Sequence, residues 1–207
     1  MKVLLINGSP HEKGCTYTAL DEIRNRLTRR GIDSEILWLG KEPIMSCQGC
    51  GGCAKMGKGR CVYNDVVNTA IEKMETCDGM IVGSPVHYAG ASGQVTSFLG
   101  RMFYSGSKFL RGKPSAIVSC RRGGASAAYA SLCKFFEMSD MPLVTSQYWN
   151  QVHGNTPDEV RQDGEGLQTM RRLADNMAWL LGCIDAGKKA GIEPFAAEER
   201  IRTNFIR

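Results

Sequence analysis

Residues 3–27 carry the sequence VLLINGSPHEKGCTYTALDEIRNRL. The apolar run Val3–Ile6 is typical of a buried strand, and the glycine- and hydroxyl-rich stretch Asn7–Thr18 is typical of a loop that opens a helix. From residue 16 to residue 30 the apolar spacing predicts a helix, with one face formed by Ala19, Leu20, Ile23 and Leu27. A strand, a loop and a helix in succession are the repeating unit of a parallel α/β sheet.

The same unit recurs along the chain. Further strands are predicted at Glu35–Leu39, Met80–Gly83, Ser115–Ser119 and Leu143–Gln147. The first of these is more polar than the others, so we expect it at an edge of the sheet. Amphipathic stretches follow the strands, and the last one predicts a long helix from about 166 to 186. Five such repeats predict a parallel sheet with helices on both faces.

The strand-to-helix connections of such a sheet lie at its carboxyl edge, where ligands bind. The unusual residues of this chain are concentrated in these connections, which are residues 7–16, 40–64, 84–92, 119–125 and 148–165. The sequence therefore predicts that the functional site lies at this edge.

Composition excludes several classes of protein. The chain has 207 residues, of which 43% are hydrophobic and 23% charged, which is ordinary for a globular protein and argues against disorder. No apolar run is long enough to span a membrane or to form a signal peptide, so we expect no membrane partner. A net charge of +5 is too small to indicate nucleic acid and suits anionic small ligands.

The first connection has the composition of an anion site. Glycines, hydroxyls and a helix N-terminus supply N–H donors and a favourable dipole. Five residues separate Gly8 from Gly14, and Cys15 follows, so the spacing is not that of a Walker A loop. The GxGxxG dinucleotide pattern is absent as well. Two interpretations stay open: a monophosphate site, and an ordinary turn before a helix.

The third and fourth connections permit close approach of a flat ligand. Residues 83–94, GSPVHYAGASGQ, place small residues around the single aromatic Tyr88. Residues 119–126, SCRRGGAS, combine glycines with Arg121 and Arg122, which suit a phosphate or a solvated surface equally. In the last connection, Tyr148 and Trp149 are candidates for a substrate pocket, and we interpret His153 as structural because no partner is evident.

Together, GSPHEKGCT after the first strand and GSPVHYAGASGQVTSFLGR after the third resemble the flavodoxin-like NAD(P)H-dependent FMN reductases. The resemblance implies a doubly wound five-stranded parallel sheet in the order 2-1-3-4-5, formed by residues 1–187, with 188–207 as a tail and possible oligomer contact. It also implies FMN. The phosphate is expected at Ser9, Thr16, Tyr17 and the backbone of Cys15. The flavin ring is expected at Pro85, Val86, His87, Tyr88, Gly90, Cys120, Arg121 and Gly123.

A cysteine-rich insertion at residues 41–64 is the most distinctive feature. Its pattern is Cys47-x2-Cys50-x2-Cys53-x7-Cys61, with glycines that let the backbone wrap a cluster. Three interpretations stay open: a [4Fe-4S] cluster, a zinc site and free thiols. The pattern resembles that of the iron-sulfur flavoproteins, a branch of the same flavin family.

The resemblance implies an oxidoreductase in which NAD(P)H reduces FMN and an acceptor is then reduced. The acceptor is expected to be a quinone, a nitro or azo compound, a flavin or a protein, with no side chain acting as catalytic acid or base. The alternative is an electron carrier that uses the cluster and a ferredoxin-like donor. A homodimer or homotetramer is expected by resemblance. Nine cysteines, an odd number, argue against a disulfide framework and for a cytoplasmic location.

Overall fold

The computed structural model describes residues 1–120, 123–192, 198, 199, 201, 203 and 205. The strands are β1 (Lys2–Asn7), β2 (Asp33–Trp38), β3 (Gly79–His87), β4 (Gly90–Ala91), β5 (Ser115–Cys120) and β6 (Gln151–Val152). A 3₁₀ turn at Ser107–Phe109 precedes β5. The helices are α1 (Cys15–Arg29), α2 (Gly52–Lys55), α3 (Val66–Thr76), α4 (Gly93–Ser105), α5 (Ala125–Glu137), α6 (Pro157–Gln162) and α7 (Gly164–Lys189).

The sheet has the predicted order. Its strands are arranged β2-β1-β3-β5-β6, and every pair along this path is parallel. The polar strand β2 lies at an edge, as its composition predicts. The flavodoxin-like fold class is therefore confirmed, but the sheet has six strands rather than five, because the short β4 pairs antiparallel with β3.

The predicted position of the fifth parallel strand is wrong. Leu143–Gln147 is not a strand, and only Leu143 forms an isolated bridge with Ser115 of β5. The chain then leaves the sheet through a turn, in which the Ser146 hydroxyl donates to the side chain of Asn150 at 2.6 Å. It rejoins the sheet as β6, inside the segment predicted to be a connection.

The third predicted connection is also partly strand. β3 continues to His87 and returns as β4, with Val86 opposite Ala91. The prediction ended the strand at Gly83 because small and polar residues interrupt the apolar run there. Pairing with β5 and then with β4 extends the strand past that point. Ser84 and Pro85 lie in register with Ser119 and Cys120 of β5, and the next two residues pair with β4.

The core has two layers, one on each face of the sheet. Leu4 and Ile6 point toward α3, α4 and α5, whereas Val3 and Leu5 point toward α1 and α7. This alternation is the two-residue period of a strand buried on both sides. In the described part of the chain, no helix combines the length and the apolar character needed to cross a membrane.

Candidate functional site at the carboxyl edge

The loop after β1 is fixed by its contacts with β3 and α4. The N–H of Gly8 donates to the carbonyl of Gly83 at 3.0 Å, and the Ser92 hydroxyl donates to the carbonyl of Gly8 at 3.2 Å. A Cβ on Gly8 would lie 2.0 Å from Cγ2 of Val95. Only glycine fits here, so the backbone of this loop lies directly on the core.

Hydrogen bonds within the loop preserve its shape. The Asn7 side chain accepts from the N–H of Ser9 at 3.2 Å and donates to the carbonyl of Glu12 at 2.9 Å. The Ser9 hydroxyl accepts from the N–H of His11 at 3.1 Å, and the Trp38 indole donates to the Ser9 carbonyl at 2.8 Å. Polar side chains on β1 and β2 therefore order the predicted phosphate loop.

The first turn of α1 is suited to an anion. Its N-cap is Gly14, which has no side chain to cap the helix, and none of its first residues is acidic. An open groove of about 540 Å³ lies beside it, with Glu12, Lys13 and Lys41 among its lining residues. Lys13 Nζ also lies 3.9 Å from the centre of the Tyr17 ring. Free N–H groups, the helix dipole and two cations favour negative charge at this point.

The predicted phosphate residues are not equally accessible. Tyr17 and Cys15 are half-buried, whereas Ser9 and Thr16 are buried. The methyl group of Thr16 lies against β3, because a Cβ on Gly83 would approach it to 2.7 Å. Cys15 and Tyr17 therefore present more surface to a ligand than Thr16, which is 1% exposed.

The β3–β4 hairpin forms the next part of the edge. Tyr88 and Ala89 occupy its turn with φ of 48° and 59°, the type I′ conformation that usually requires asparagine or glycine. Residues held in this region store strain of about 1–3 kcal/mol each, and such strain is concentrated at functional sites. The Tyr88 side chain is fully exposed, and that of His87 is exposed as well.

The start of α5 closes this side of the edge. A Cβ on Gly124 would lie 3.0 Å from the Cα of Ala89, so the turn of the hairpin packs directly on the loop after β5. The structure thus brings Pro85, Val86, Tyr88 and Gly90 next to the loop that contains Gly123. Arg121, also predicted to border the ring, lies outside the described residues.

Cys15 and Cys120 join the first and fourth connections. The two thiols lie near enough to affect each other's pKa, one at the start of α1 and the other at the end of β5. Burial raises the pKa of both thiols, and the neighbouring Cys15 adds to the increase at Cys120. A thiol with a raised pKa carries little thiolate, so Cys120 is an inert part of the wall rather than a nucleophile.

A second cavity is formed by the cysteine-rich segment. All four predicted ligands line one cavity, together with Arg101, Tyr104 and Ser105 of α4. Cys47 and Cys50 are exposed, Cys61 is half-buried and Cys53 is buried on α2. Gly49 and Gly51 have φ of 64° and 68°, the left-handed conformation that a tight wrap requires.

The arrangement of these sulfurs distinguishes the predicted groups. Within the described residues, no three cysteine, histidine or carboxylate side chains stand together as ligands of a single metal ion. A zinc site requires such convergence on one ion. A [4Fe-4S] cluster takes one thiolate for each of its irons, so its ligands stand around a larger body. The four cysteines line one cavity, and among the described residues they do not form such a site for a single ion.

Two buried polar side chains attach this segment to the body of the protein, and the sequence interpretation missed both. Asn68 of α3 accepts from the N–H of Cys61 at 2.8 Å and donates to the carbonyls of Cys61 and Tyr63, both at 3.0 Å. Arg101 of α4 is 1% exposed and forms an ion pair with Asp65 at 2.5 Å. The available signal was a polar residue within the apolar face of each helix.

A small cavity of about 50 Å³ lies beside β6. It is lined by Tyr148, Trp149 and His153 among others. His153 does have a partner, contrary to the sequence interpretation: its N–H donates to Asp163 at 2.7 Å, and its Nδ1 lies 3.6 Å from the same carboxylate. This histidine is therefore held beside α7 by both its backbone and its side chain.

These features define a flavodoxin-like α/β protein with its candidate ligand-binding groups at the carboxyl edge of the sheet. The model of a family described as NADPH-dependent FMN reductase matches residues 1–156. This chain belongs to that family, which is one of oxidoreductases.

Individual proteins extend the comparison. An iron-sulfur flavoprotein of Methanocaldococcus jannaschii is 32% identical over 193 residues, covering 89% of this chain and 99% of that protein. An iron-sulfur flavoprotein of Archaeoglobus fulgidus is 33% identical over 178 residues, covering 83% of this chain and 86% of that protein. RosB, solved with 8-demethyl-8-formylriboflavin-5'-phosphate, superimposes with a TM-score of 0.69 at 15% identity, covering 100% and 94% of the two chains. At that identity the superposition supports the fold alone.

Proposed function

We propose that this protein is an iron-sulfur flavoprotein, an oxidoreductase that holds FMN at the carboxyl edge and a [4Fe-4S] cluster on Cys47, Cys50, Cys53 and Cys61. The observation that carries the proposal is the single cavity that all four cysteines line. Residues of α4 line it as well, and α4 begins at the carboxyl edge of the sheet, which we call the flavin edge. Similarity to two archaeal iron-sulfur flavoproteins supports the same conclusion.

The FMN phosphate would be held at the start of α1. Backbone N–H groups of Cys15, Thr16 and Tyr17, together with Ser9, would provide its donors, and Lys13 adds positive charge beside them. The β3–β4 hairpin and the loop after β5 would border the flavin ring. The residues that would contact the ring are Pro85, Val86, His87, Tyr88, Gly90, Cys120, Arg121 and Gly123.

When bound, FMN supplies hydride and electron transfer and the cluster supplies single-electron transfer. The described side chains bind and orient these groups. Tyr88 projects from the strained hairpin at the rim and would shield one side of the flavin from water. Buried Cys120, with its raised pKa, would contribute an uncharged wall.

We propose NAD(P)H or a ferredoxin-like protein as the electron donor, and a quinone, a nitro or azo compound, a flavin or a protein as the acceptor. The second candidate is a reductase without a cluster, in which NAD(P)H and the acceptor alternate at the flavin. The cavity beside Tyr148, Trp149 and His153 favours this candidate, because it offers aromatic and polar groups to a small acceptor. A homodimer or homotetramer is proposed for both.

Absorption spectroscopy of anaerobically purified protein, with iron, sulfide and flavin assays, tests the proposal. We expect flavin bands, a broad brown absorption and about four irons per chain. Flavin without iron would overturn the cluster and leave the reductase. Bound zinc without flavin would overturn both. Steady oxidation of NADH or NADPH with a quinone would then separate an enzyme from a carrier.

A further inference from the structure

We propose that Arg101 is a cationic donor to the sulfur of Cys61 and that Lys58 is one to the sulfur of Cys53. Both would raise the reduction potential of the proposed [4Fe-4S] cluster. This inference rests on the proposed function and extends it to two residues outside the cysteine motif. Each cation lies within hydrogen-bond distance of a different cysteine, on opposite parts of the same segment.

Arg101 is directed at Cys61 from the interior of the protein. Its Nη2 donates to Sγ of Cys61 at 3.3 Å and to the carbonyl of Tyr63 at 3.3 Å. Both terminal nitrogens also contact Asp65, at 2.5 and 3.1 Å. The side chain is 1% exposed and lines the cysteine cavity, so solvent screens these interactions very little.

Arg101 makes one further contact, because its Nη1 donates to the carbonyl of Met45 at 3.4 Å. Its Nε is buried and has no acceptor among the described residues. Asp65 is shared, because the same carboxylate accepts from the N–H of Val67 at the start of α3. A neutral thiol is a poor acceptor, whereas a thiolate bound to iron carries negative charge that a guanidinium stabilises. The burial of Arg101 is therefore better satisfied with an anionic sulfur at Cys61.

Lys58 makes the equivalent contact with Cys53. Its Nζ donates to the carbonyl of Tyr104 at 2.8 Å and lies 3.8 Å from Sγ of Cys53. The ammonium also lies 4.2 Å from the centre of the Tyr104 ring. The backbone of Lys58 has a φ of 65°, a conformation that a lysine rarely adopts and that surrounding contacts must maintain.

The consequence is electrostatic. A reduced cluster carries one more negative charge than the oxidised one, so nearby cations stabilise the reduced form and raise the potential. Outer-shell donors act on the sulfur ligands in the same direction. Removing either cation should lower the potential, and removing the more buried Arg101 should lower it further.

The test uses the full-length protein, reconstituted anaerobically with ferrous iron and sulfide. Lys58→Gln, Arg101→Gln and Arg101→Lys are compared with Arg60→Gln by iron content, flavin content and midpoint potential. Arg60 is the matched control, because it is an exposed cation of the same segment that contacts Asn64 at 2.9 Å and Glu72 at 3.9 Å.

We expect Lys58→Gln to shift the equilibrium of the one-electron couple toward the oxidised form by up to tenfold, about 59 mV. Arg101→Gln should shift it further and reduce iron content, and Arg101→Lys should recover part of the potential. Flavin content should stay at the wild-type level throughout, and Arg60→Gln should match wild type.

Wild-type potentials in both Lys58→Gln and Arg101→Gln would overturn the proposal. If Arg101→Gln does not fold, Lys58→Gln decides the outcome alone. Loss of iron in Arg101→Gln with an unchanged potential in Lys58→Gln also contradicts it, since Arg101 would then act only as a structural tie. A wild-type protein that binds flavin but no iron would instead show failure of the proposed function, before any variant is examined.

Discussion

The flavin edge and the cysteine-rich segment are ordered in different ways. Loops of the flavin edge extend from buried strands and lie so close to the core that Gly8 cannot accept a side chain. Between Leu39 and α3, the cysteine-rich segment has a single four-residue helix, and side chains of Asn68 and Arg101 attach it. Packing on the core together with local hydrogen bonds therefore sets the shape of one region, whereas a few polar contacts attach the other. The two should fail independently.

Cys50→Ser is the most direct way to separate the two regions. We expect complete loss of the brown absorption and of cluster iron, because an alcohol at this position does not replace a thiolate ligand. Flavin content should be unchanged. Cys183→Ser on α7, also an exposed cysteine, is the control and should keep both groups. Loss of flavin together with iron in Cys50→Ser would show that the segment is not an independent unit.

Gly8→Ala changes the other region, the loop after β1, and should affect FMN binding but not the cluster. The new Cβ would lie 2.0 Å from Cγ2 of Val95 and 2.9 Å from the carbonyl of Gly83, so the loop or α4 must shift. We expect a loss of about 1–3 kcal/mol in the free energy of unfolding from overpacking. FMN affinity should fall about tenfold or more, since an energy difference of about 1.4 kcal/mol is a factor of ten.

The measurements are fluorescence titration with FMN and urea denaturation. Gly100→Ala serves as the control, because a Cβ at that position in α4 meets no neighbour within 4 Å. Iron content of Gly8→Ala should stay near the wild-type value. Normal FMN affinity in this variant would contradict the assignment of the first loop as the phosphate site.

Asn68→Ala weakens the attachment of the cysteine segment. It removes the three hydrogen bonds to Cys61 and Tyr63. Leaving those buried backbone groups without a partner costs about 1–3 kcal/mol locally. Hydrogen exchange of residues 61–65 should accelerate and iron content should fall, whereas FMN affinity should not change. Glu75→Gln, an exposed change on the same helix, should leave exchange as in wild type.

The smallest expected effect concerns the scaffold behind the flavin edge. Arg26 of α1 and Arg30 just after it hold the pKa of Asp175 on α7 well below its ordinary value, through hydrogen bonds at 2.6–2.9 Å. A lowered native pKa adds stability above the pKa of an unfolded aspartate, and this stability is lost as pH falls through the native value. Asp175→Asn should lower the melting temperature slightly at pH 7. At acidic pH the two proteins should converge; an equal difference at both pH values would contradict this account.

Much of the fold could be predicted because buried parallel strands have a strong sequence pattern. Val3–Ile6 and Ser115–Ser119 are continuous apolar or small runs, and each lies in a central strand. The strand Gln151–Val152 could not be located, because two residues have no period to recognise. The hairpin turn could not be predicted, because Tyr88 and Ala89 occupy positions where a type I′ turn usually has asparagine and glycine.

The site was predicted where residue type alone indicates chemistry. Four cysteines at short spacings indicate a metal or cluster site in any fold, and all four do line one cavity. Arg101 was missed although it lies within the apolar face of α4, because residue type alone does not distinguish a buried arginine from a solvated one. Its burial follows from the way α4 packs between the sheet and residues 61–65.

Helix α4 begins with Ser92 bonded to the phosphate loop and carries Arg101 against the cysteine cavity. Arg101 lies eight positions after Gly93, a rise of about 12 Å along the helix axis. One residue inserted between them would rotate the guanidinium by about 100° and turn it away from the sulfur. During evolution the loops on either side can therefore lengthen or shorten, but this helical interval must keep its length.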